Sequence, residues 1–564
     1  MKKRVHIILI LFATLFQVKI AVSQSKVVPK STTSDQITFA INKAYPSCIK
    51  LFAYDTIANQ QAGPQFSGVV VTKDGYILTV AHTTIPGKIY KVNFPDGNQA
   101  IAKALGNIIL TESPNLPDVS LMKIITRGDW PFAKMGNSDK LKVNQPCIGI
   151  SYPETLSQNF PTVRYGVITS TATEQNMIRS TCKMEPGDSG GPLFDFDGNV
   201  IGLHSAIELD ENVNFDVPVN LYRQYWSALN EIITYNAFPS SIGNTDGLKI
   251  IETDHIQKGH EININSKAVN KANQTTVIIT SIVKGIKRQI LGSVFQPNKR
   301  IKHIYAAYVI SKNSEVGEDA IVLFRDGKRI VAKVISRNKK FDLVLLGIKG
   351  HFSDSLKWED LSDNLQDTLF TGKPLFCVNG KQKVISGIAG STIFTSPKKS
   401  SLAFLGAFIN ANQKPFYVTN VVDFSPAFIA GIKQGDIITA IDGQAMDNPE
   451  DFGSKLITYW PGDATNFELL RSGQKLKFKV ILGAWPTHIS DHPADHFAGG
   501  KSARRDGFEQ VFAYDCNIKS NEAGSPLFDY KGSFVGINIA RFSRTTTLAI
   551  PRNIILRFIS VTVK

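Results

Sequence analysis

The chain lacks most of the features that would point to a cofactor, a metal or a membrane. Five cysteines among 564 residues lie too far apart for any metal-ligand spacing, and no metal or organic cofactor is expected. Their number is odd, so at least one thiol has no partner within the chain. For Cys147, Cys182, Cys377 and Cys516 both buried free thiols and disulfides stay open. Beyond the first 23 residues no apolar run approaches the roughly 20 residues that a membrane-spanning helix needs. Charge of one sign is nowhere massed. The net charge is +15, of which Lys2, Lys3, Arg4 and Lys19 supply four, leaving +11 scattered in pairs such as Lys398-Lys399 and Arg504-Arg505. That scatter suits a solvated surface and gives no nucleic-acid footprint.

What is present begins with a leader. Lys2, Lys3 and Arg4 precede the apolar run Ile7 to Phe16, and Ala21-Val22-Ser23 offers the small residues that a signal peptidase reads. Residues 1–23 are therefore expected to be a cleaved signal, with the mature protein soluble and outside the cytoplasm. The run is too short for a retained anchor. The remaining length suits three or four domains, and 43% hydrophobic residues suit packed cores. Apolar runs are short and β-branched, as in Gly68-Val69-Val70-Val71-Thr72 and Ala320-Ile321-Val322-Leu323-Phe324. Asp-Gly turns at 74–75, 96–97, 197–198 and 326–327 separate them. The fold class is thus mainly β. Helices are predicted only at 34–45, Asn220–Ile233, Ser425–Gly431 and Asn448–Thr458, and residues 236–268 are expected to be a linker.

The chemistry is concentrated in three places. Residues 187–192 are Gly-Asp-Ser-Gly-Gly-Pro, Thr79-Val80-Ala81-His82 lies upstream, and Asp118-Val119-Ser120-Leu121 lies between them. A serine hydroxyl is a weak nucleophile until an imidazole takes its proton, and that imidazole needs a carboxylate to fix its tautomer. His82, Asp118 and Ser189 supply all three in the order used by a chymotrypsin-type double barrel. Gly187 allows its own N–H and that of Ser189 to face an oxyanion, and Gly190 and Gly191 are expected to leave space for a substrate strand. Lone His or Asp residues at strand ends are usually structural; the ordered set of three is not.

The C-terminal half repeats this pattern without its chemistry. Cys182 to Gly198 aligns without gaps on Cys516 to Gly532, sharing Pro-Leu-Phe-Asp at 192–195 and 526–529, with Ala523 in place of Ser189. Upstream, the hydrophobic pattern sets Tyr308 opposite His82 and Asp342 opposite Asp118. The expected architecture is a chymotrypsin-like double β-barrel (34–235) followed by a second, degenerate and inert double barrel (269–400 and 484–564). Residues 401–483 have no counterpart in the first half. Phe404-Leu405-Gly406-Ala407-Phe408, then Ser425-Pro426-Ala427, then Gly435-Asp436-Ile437-Ile438 and Asp442-Gly443 resemble a PDZ domain. The resemblance implies that backbone N–H groups around Phe404, Leu405 and Gly406 hold a peptide carboxylate. Phe408 would shape the side-chain pocket beside an added strand.

SGVVVTKDGYILTVAH, DVSLMKI, EPGDSGGPL and FDVPVN together resemble the HtrA (DegP-like) family of secreted serine proteases. The resemblance implies His82 as general base, Asp118 as its orienter and Ser189 as nucleophile. It also implies polypeptide substrates, with their C-termini offered to the PDZ groove, in a periplasmic or secreted setting. The family forms homo-oligomers, an expectation weakened here by the extra repeat on both sides of the PDZ segment. In the substrate pocket the pattern sets Lys183, His204 and Ser205. Lys183 argues against basic P1 residues. His204 is placed like a histidine of glutamate-specific proteases, so an acidic P1 and a small apolar P1 both stay open. A binding scaffold or chaperone-like sensor without proteolysis is the rival to an endopeptidase, since the second barrel shows the fold used without a triad.

Overall fold

Strict alternation in the first sheet directs its side chains. In β5 (Gln99–Ile109) Ala100, Ala102 and Ala104 are buried while the residues between them face outward. These alanines pack on Ile49 and Leu51 of β1 (Cys48–Asp55), Phe66 of β2 (Gln60–Val70) and Ile77 of β3 (Tyr76–Thr79). With β4 (Ile89–Asn93) and β6 (Asp118–Ile124) the strands run β5-β4-β1-β2-β3-β6, and a β5–β6 pairing closes the barrel. A second closed barrel has the order β10-β11-β12-β9-β8-β7. Its members are β7 (Pro146–Ser151), β8 (Thr162–Ser170), β9 (Ile178–Ser180), β10 (Pro192–Phe194), β11 (Val200–Ile207) and β12 (Asn214–Pro218). Val69, Leu78 and Leu121 of one barrel and Ile148, Phe194 and Leu203 of the other share one core cluster. The site lies where the two barrels meet.

This computed structural model describes residues 33–563 except 111–117, 157, 172, 174–175, 241–263, 297–303, 351, 353–354, 358–368, 411–414 and 487–489. The expected signal at 1–23 and most of the expected 236–268 linker lie outside the described residues. A helix at Ser266–Thr275, capped by Asn265 on the Lys267 N–H, begins inside that linker.

Beyond it the neighbour relations of the first half recur. One sheet runs Arg329–Val331, Ile321–Leu323, Thr276–Val283, Ile286–Gln296, Ala307–Lys312, Leu343–Ile348, Lys333–Asn338. Its first and last members are one run interrupted at Ala332, so the order matches β5-β4-β1-β2-β3-β6. The other sheet runs Val384–Ile388, Pro374–Val378, Pro526–Asp529, Phe534–Arg541, Thr547–Pro551, Phe508–Tyr514, Phe394–Ser396. It follows the order of β8-β7-β10-β11-β12-β9. Phe394–Ser396 and Phe508–Tyr514 pair with each other, and residues 401–483 leave the sheet between them, where the first half has only the seven residues 171–177 between β8 and β9.

Strand register corrects the expected equivalence of Tyr308 with His82. Thr79 pairs with Ser120, two residues after Asp118, and Ser311 pairs with Val344, two residues after Asp342. Asp342 therefore stands where Asp118 does, while the single turn Asn313–Glu315 matches Ala81–Thr83 and puts Ser314 at the place of His82. Tyr308 lies six residues earlier, inside the strand against Phe295. An apolar run can slide along its partner without changing its hydrophobic pattern, so pattern alone misses such a shift. Asp342 is fully buried beside Lys312 at 3.1 Å and accepts hydrogen bonds from the Ser314 N–H and hydroxyl. It serves as an anchor.

Candidate active site

Three backbone features bring the triad together. β3 ends at Thr79, whose hydroxyl donates to the Ser67 carbonyl and whose own carbonyl accepts from the Tyr222 hydroxyl. The one-turn helix Ala81–Thr83 then presents His82. Asp118 opens β6 at the same end, and its Oδ1 accepts the Ala81 N–H at 2.8 Å. The nucleophile turn is pinned to the other barrel: the Gly190 N–H bonds the His204 carbonyl and the His204 N–H bonds the Gly191 carbonyl. Ser67 adds a third attachment, its hydroxyl donating to the Gly187 carbonyl and its N–H to the Ser189 carbonyl.

The result is a continuous relay. His82 Nε2 lies 3.1 Å from Ser189 Oγ, and His82 Nδ1 lies 3.3 Å from both carboxylate oxygens of Asp118. The Ser205 hydroxyl also donates to Asp118 Oδ2. Burial alone would lower the His82 pKa, but the hydrogen bond and charge of Asp118 outweigh it and raise the value above that of an ordinary histidine. His82 remains 42% exposed and Asp118 only 13%. His82 is thus reachable from the cleft while Asp118 is shielded.

Gly187 has φ +95°, a conformation that favours glycine, and a Cβ there would meet the Tyr152 carbonyl oxygen at 2.6 Å. The Pro186 carbonyl accepts the Glu154 N–H at 2.8 Å. In a trans peptide C=O and N–H point oppositely, so the Gly187 N–H turns away from Glu154. Gly190 differs from expectation. The space a side chain would take holds Thr79 Oγ1 and the Ser67 carbonyl, at 2.1 and 2.3 Å from an ideal Cβ, so its missing side chain admits the protein's own β2 and β3 rather than a substrate strand.

His82, Gly187, Ser189 and Ser205 line one open cavity of about 600 Å³ with Met184 and Ile207, and His492 and Pro493 from the C-terminal half form part of its wall. Two expected pocket residues are absent from this lining. Lys183 turns away to form an ion pair with Glu211. His204 is fully buried with Nδ1 2.6 Å from Asp216 Oδ1, and its Nε2 faces Gly149 inside the barrel. In each case a charged partner, Glu211 or Asp216, holds the side chain away from the cleft. Ser67, Tyr222 and His492 carry no sequence signal that would have marked them.

In the 401–483 segment Gly406 has φ +78° and leaves no room for a Cβ against Ser425. The Leu405 and Gly406 carbonyls accept from the N–H groups of Ala427 and Val422, so the Gly406 and Ala407 N–H groups face the opposite way. Phe404 and Leu405 are buried, whereas Phe408 is half exposed on the strand Ala407–Ile409. That strand pairs with Val418–Val421, and its other edge has no strand partner among the described residues.

The five cysteines are free and buried. Among the described residues no three His, Cys, Asp or Glu gather as a metal site, and no helix is long and apolar enough to cross a membrane.

Fold and site together define a trypsin-like peptidase unit joined to a PDZ domain, and comparison with known proteins agrees. Residues 66–203 match the trypsin-like peptidase domain model and residues 403–482 the PDZ domain model. It is 34% identical over 161 residues to a Marinomonas sp. protein named "Probable periplasmic serine endoprotease DegP-like", covering 26% of this chain and 32% of the relative. A protein of the same name from Chlamydia muridarum is 24% identical over 405 residues, 69% of each chain. The chain thus spans about a third of the length of the first of these curated relatives. A solved structure of the HtrA-type protease AlgW with decapeptide is 16% identical, covers 80% of this chain and 99% of its own, and has a TM-score of 0.29.

Proposed function

We propose that the protein is a secreted or periplasmic serine endopeptidase that cuts unfolded polypeptides and recruits them through its PDZ domain. The observation that carries this is the unbroken Ser189–His82–Asp118 hydrogen-bond relay opening into a peptide-sized cavity. Ser189 Oγ attacks the scissile carbonyl as His82 takes its proton, and Asp118 stabilises the resulting imidazolium. The Gly187 and Ser189 N–H groups hold the oxyanion. His82 then protonates the departing amine, and water, activated by the same imidazole, releases the acyl group. Residues 34–235 carry this chemistry, and 401–483 bind a C-terminal carboxylate at Gly406 while the peptide adds a strand beside Ala407–Ile409. Residues 269–400 and 484–564 form a duplicated barrel pair without a nucleophile.

Labelling with a fluorophosphonate, followed by peptide mapping, tests this directly. A single adduct on Ser189, lost in His82→Ala, is expected; no adduct on the folded protein would refute it.

A further inference from the structure

Asp188, between the oxyanion glycine and the nucleophile, is completely buried and carries a charge that must be met. Arg164 of β8, itself 2% exposed, meets it with Nη1 at 2.7 Å from Asp188 Oδ2. Ser151 completes the set by donating to Asp188 Oδ1, and the Glu185 N–H donates to Oδ2. Arg164 is thus the cation that holds the 185–189 turn in shape. Its other nitrogen, Nη2, donates to Thr545 Oγ1 at 3.3 Å, 381 residues further along the chain. Ser543 supports that contact from the same loop: its Oγ accepts the Thr545 N–H and lies 3.4 Å from Thr545 Oγ1. The neighbouring Arg544 donates to the carbonyls of Glu208 and Asp210, on the loop after β11. Next to Arg164, the Tyr165 N–H donates to Asp515 of the same C-terminal half.

The contacts of Ser543, Arg544 and Thr545 come from one short loop. Residues 542–546 connect Phe534–Arg541 to Thr547–Pro551, as residues 208–213 connect β11 to β12. The corresponding hairpin loops of the two halves therefore meet, and the one from the half without a nucleophile reaches beneath the catalytic turn. A loop serving only as filler would present apolar side chains. This one places Ser543, Arg544 and Thr545, all buried, against the backbone and charges that set the turn.

We propose that Arg164 is a positioning residue for the oxyanion hole and that the 542–546 loop of the C-terminal half braces it in cis, so that catalysis by the first barrel pair depends on contact with the second. The second pair is then retained as a structural activator of the first, and loss of its grip would switch off turnover without touching the triad. This rests on the endopeptidase reading above.

The test uses the full chain and a short chromogenic peptide, with kcat, KM and thermal midpoint measured for Thr545→Val, Ser543→Ala, their double variant, Thr545→Ser and Arg164→Gln. An oxyanion donor acts in the transition state, so kcat should fall while KM holds. The double variant should lose about ten-fold in kcat, the scale of a hydrogen bond or two, and Arg164→Gln ~100-fold, the scale of one oxyanion donor. Thr545→Ser keeps the hydroxyl and should turn over like the wild type. The double variant with a wild-type kcat would overturn the proposal. So would a kcat loss that only tracks a lowered midpoint and is shared by Thr545→Ser, which would mark plain destabilisation. No turnover by the wild type is a separate result and overturns the endopeptidase reading itself.

Discussion

At the residue scale, the decisive property of His82 is its proton. Its pKa lies above the ordinary value because Asp118 stabilises the imidazolium more than burial opposes it. Catalysis needs the neutral ring, so kcat/KM for a short peptide should be low at acid pH and rise through a pKa above about 6.5. Asp118→Asn should cut kcat by ~10⁴ and move that limb to lower pH, because burial then acts unopposed; a stopped pH series on both proteins checks both. Lys183 offers a contrast. Its ammonium is taken by Glu211 outside the cleft, so Lys183→Ala should leave the P1 preference unchanged in a peptide-library digest. The grouping of His82, Asp118 and Ser189 that the structure brings within hydrogen-bond distance was legible in the sequence because each stands at a strand end in an ordered pattern. The orientations of Lys183 and His204 were not, since strand position says which residues are near a pocket and not which charged partner, Glu211 or Asp216, draws each side chain away from it.

At the scale of the element, the nucleophile turn is held by a buried ion pair and by two glycines with positive φ. Gly190→Ala should therefore be severe, since even a methyl meets Ser67 and Thr79 at under 2.5 Å and the turn must move. We expect kcat to fall with a loss of stability of about 1–3 kcal/mol, read by urea unfolding. Strand pairing in the C-terminal half was only partly readable. The gap-free match of Cys182–Gly198 with Cys516–Gly532 aligned Ala523 with Ser189 because Asp, Gly and Pro punctuate it. Upstream, the run Ala306-Ala307-Tyr308-Val309-Ile310 has no such mark, and its register was misjudged by six residues until the pairing of Ser311 with Val344 set it. The helix Ser266–Thr275 begins inside the segment expected as a linker, an expectation that rested on the polarity of that segment, and the helix buries only the small Ala268, Ala272 and Thr275, with no large apolar side chain to mark it. Predicted helices with stronger signals, such as Pro426–Ala430 with its Ser425 cap and Gly431 stop, are in place.

For the whole molecule, the PDZ domain sits between two strands that pair with each other, Phe394–Ser396 and Phe508–Tyr514. Replacing residues 401–483 by a short loop should therefore leave the sheet intact. Cleavage of a short peptide should continue at close to the wild-type kcat, while degradation of long unfolded chains slows several-fold, since only they gain effective concentration from a second binding site. Short motifs and an internal repeat pointed to these modules in the sequence, but not to their mutual contacts. Nothing in Thr545 or Arg164 as isolated letters announces that they meet across 381 residues. The most direct test of the central claim is digestion of unfolded casein by the protein beside its Ser189→Ala variant, with cut sites mapped by mass spectrometry. Cleavage by the wild type alone is predicted, and cleavage by neither protein, with or without added C-terminal peptides, would contradict it.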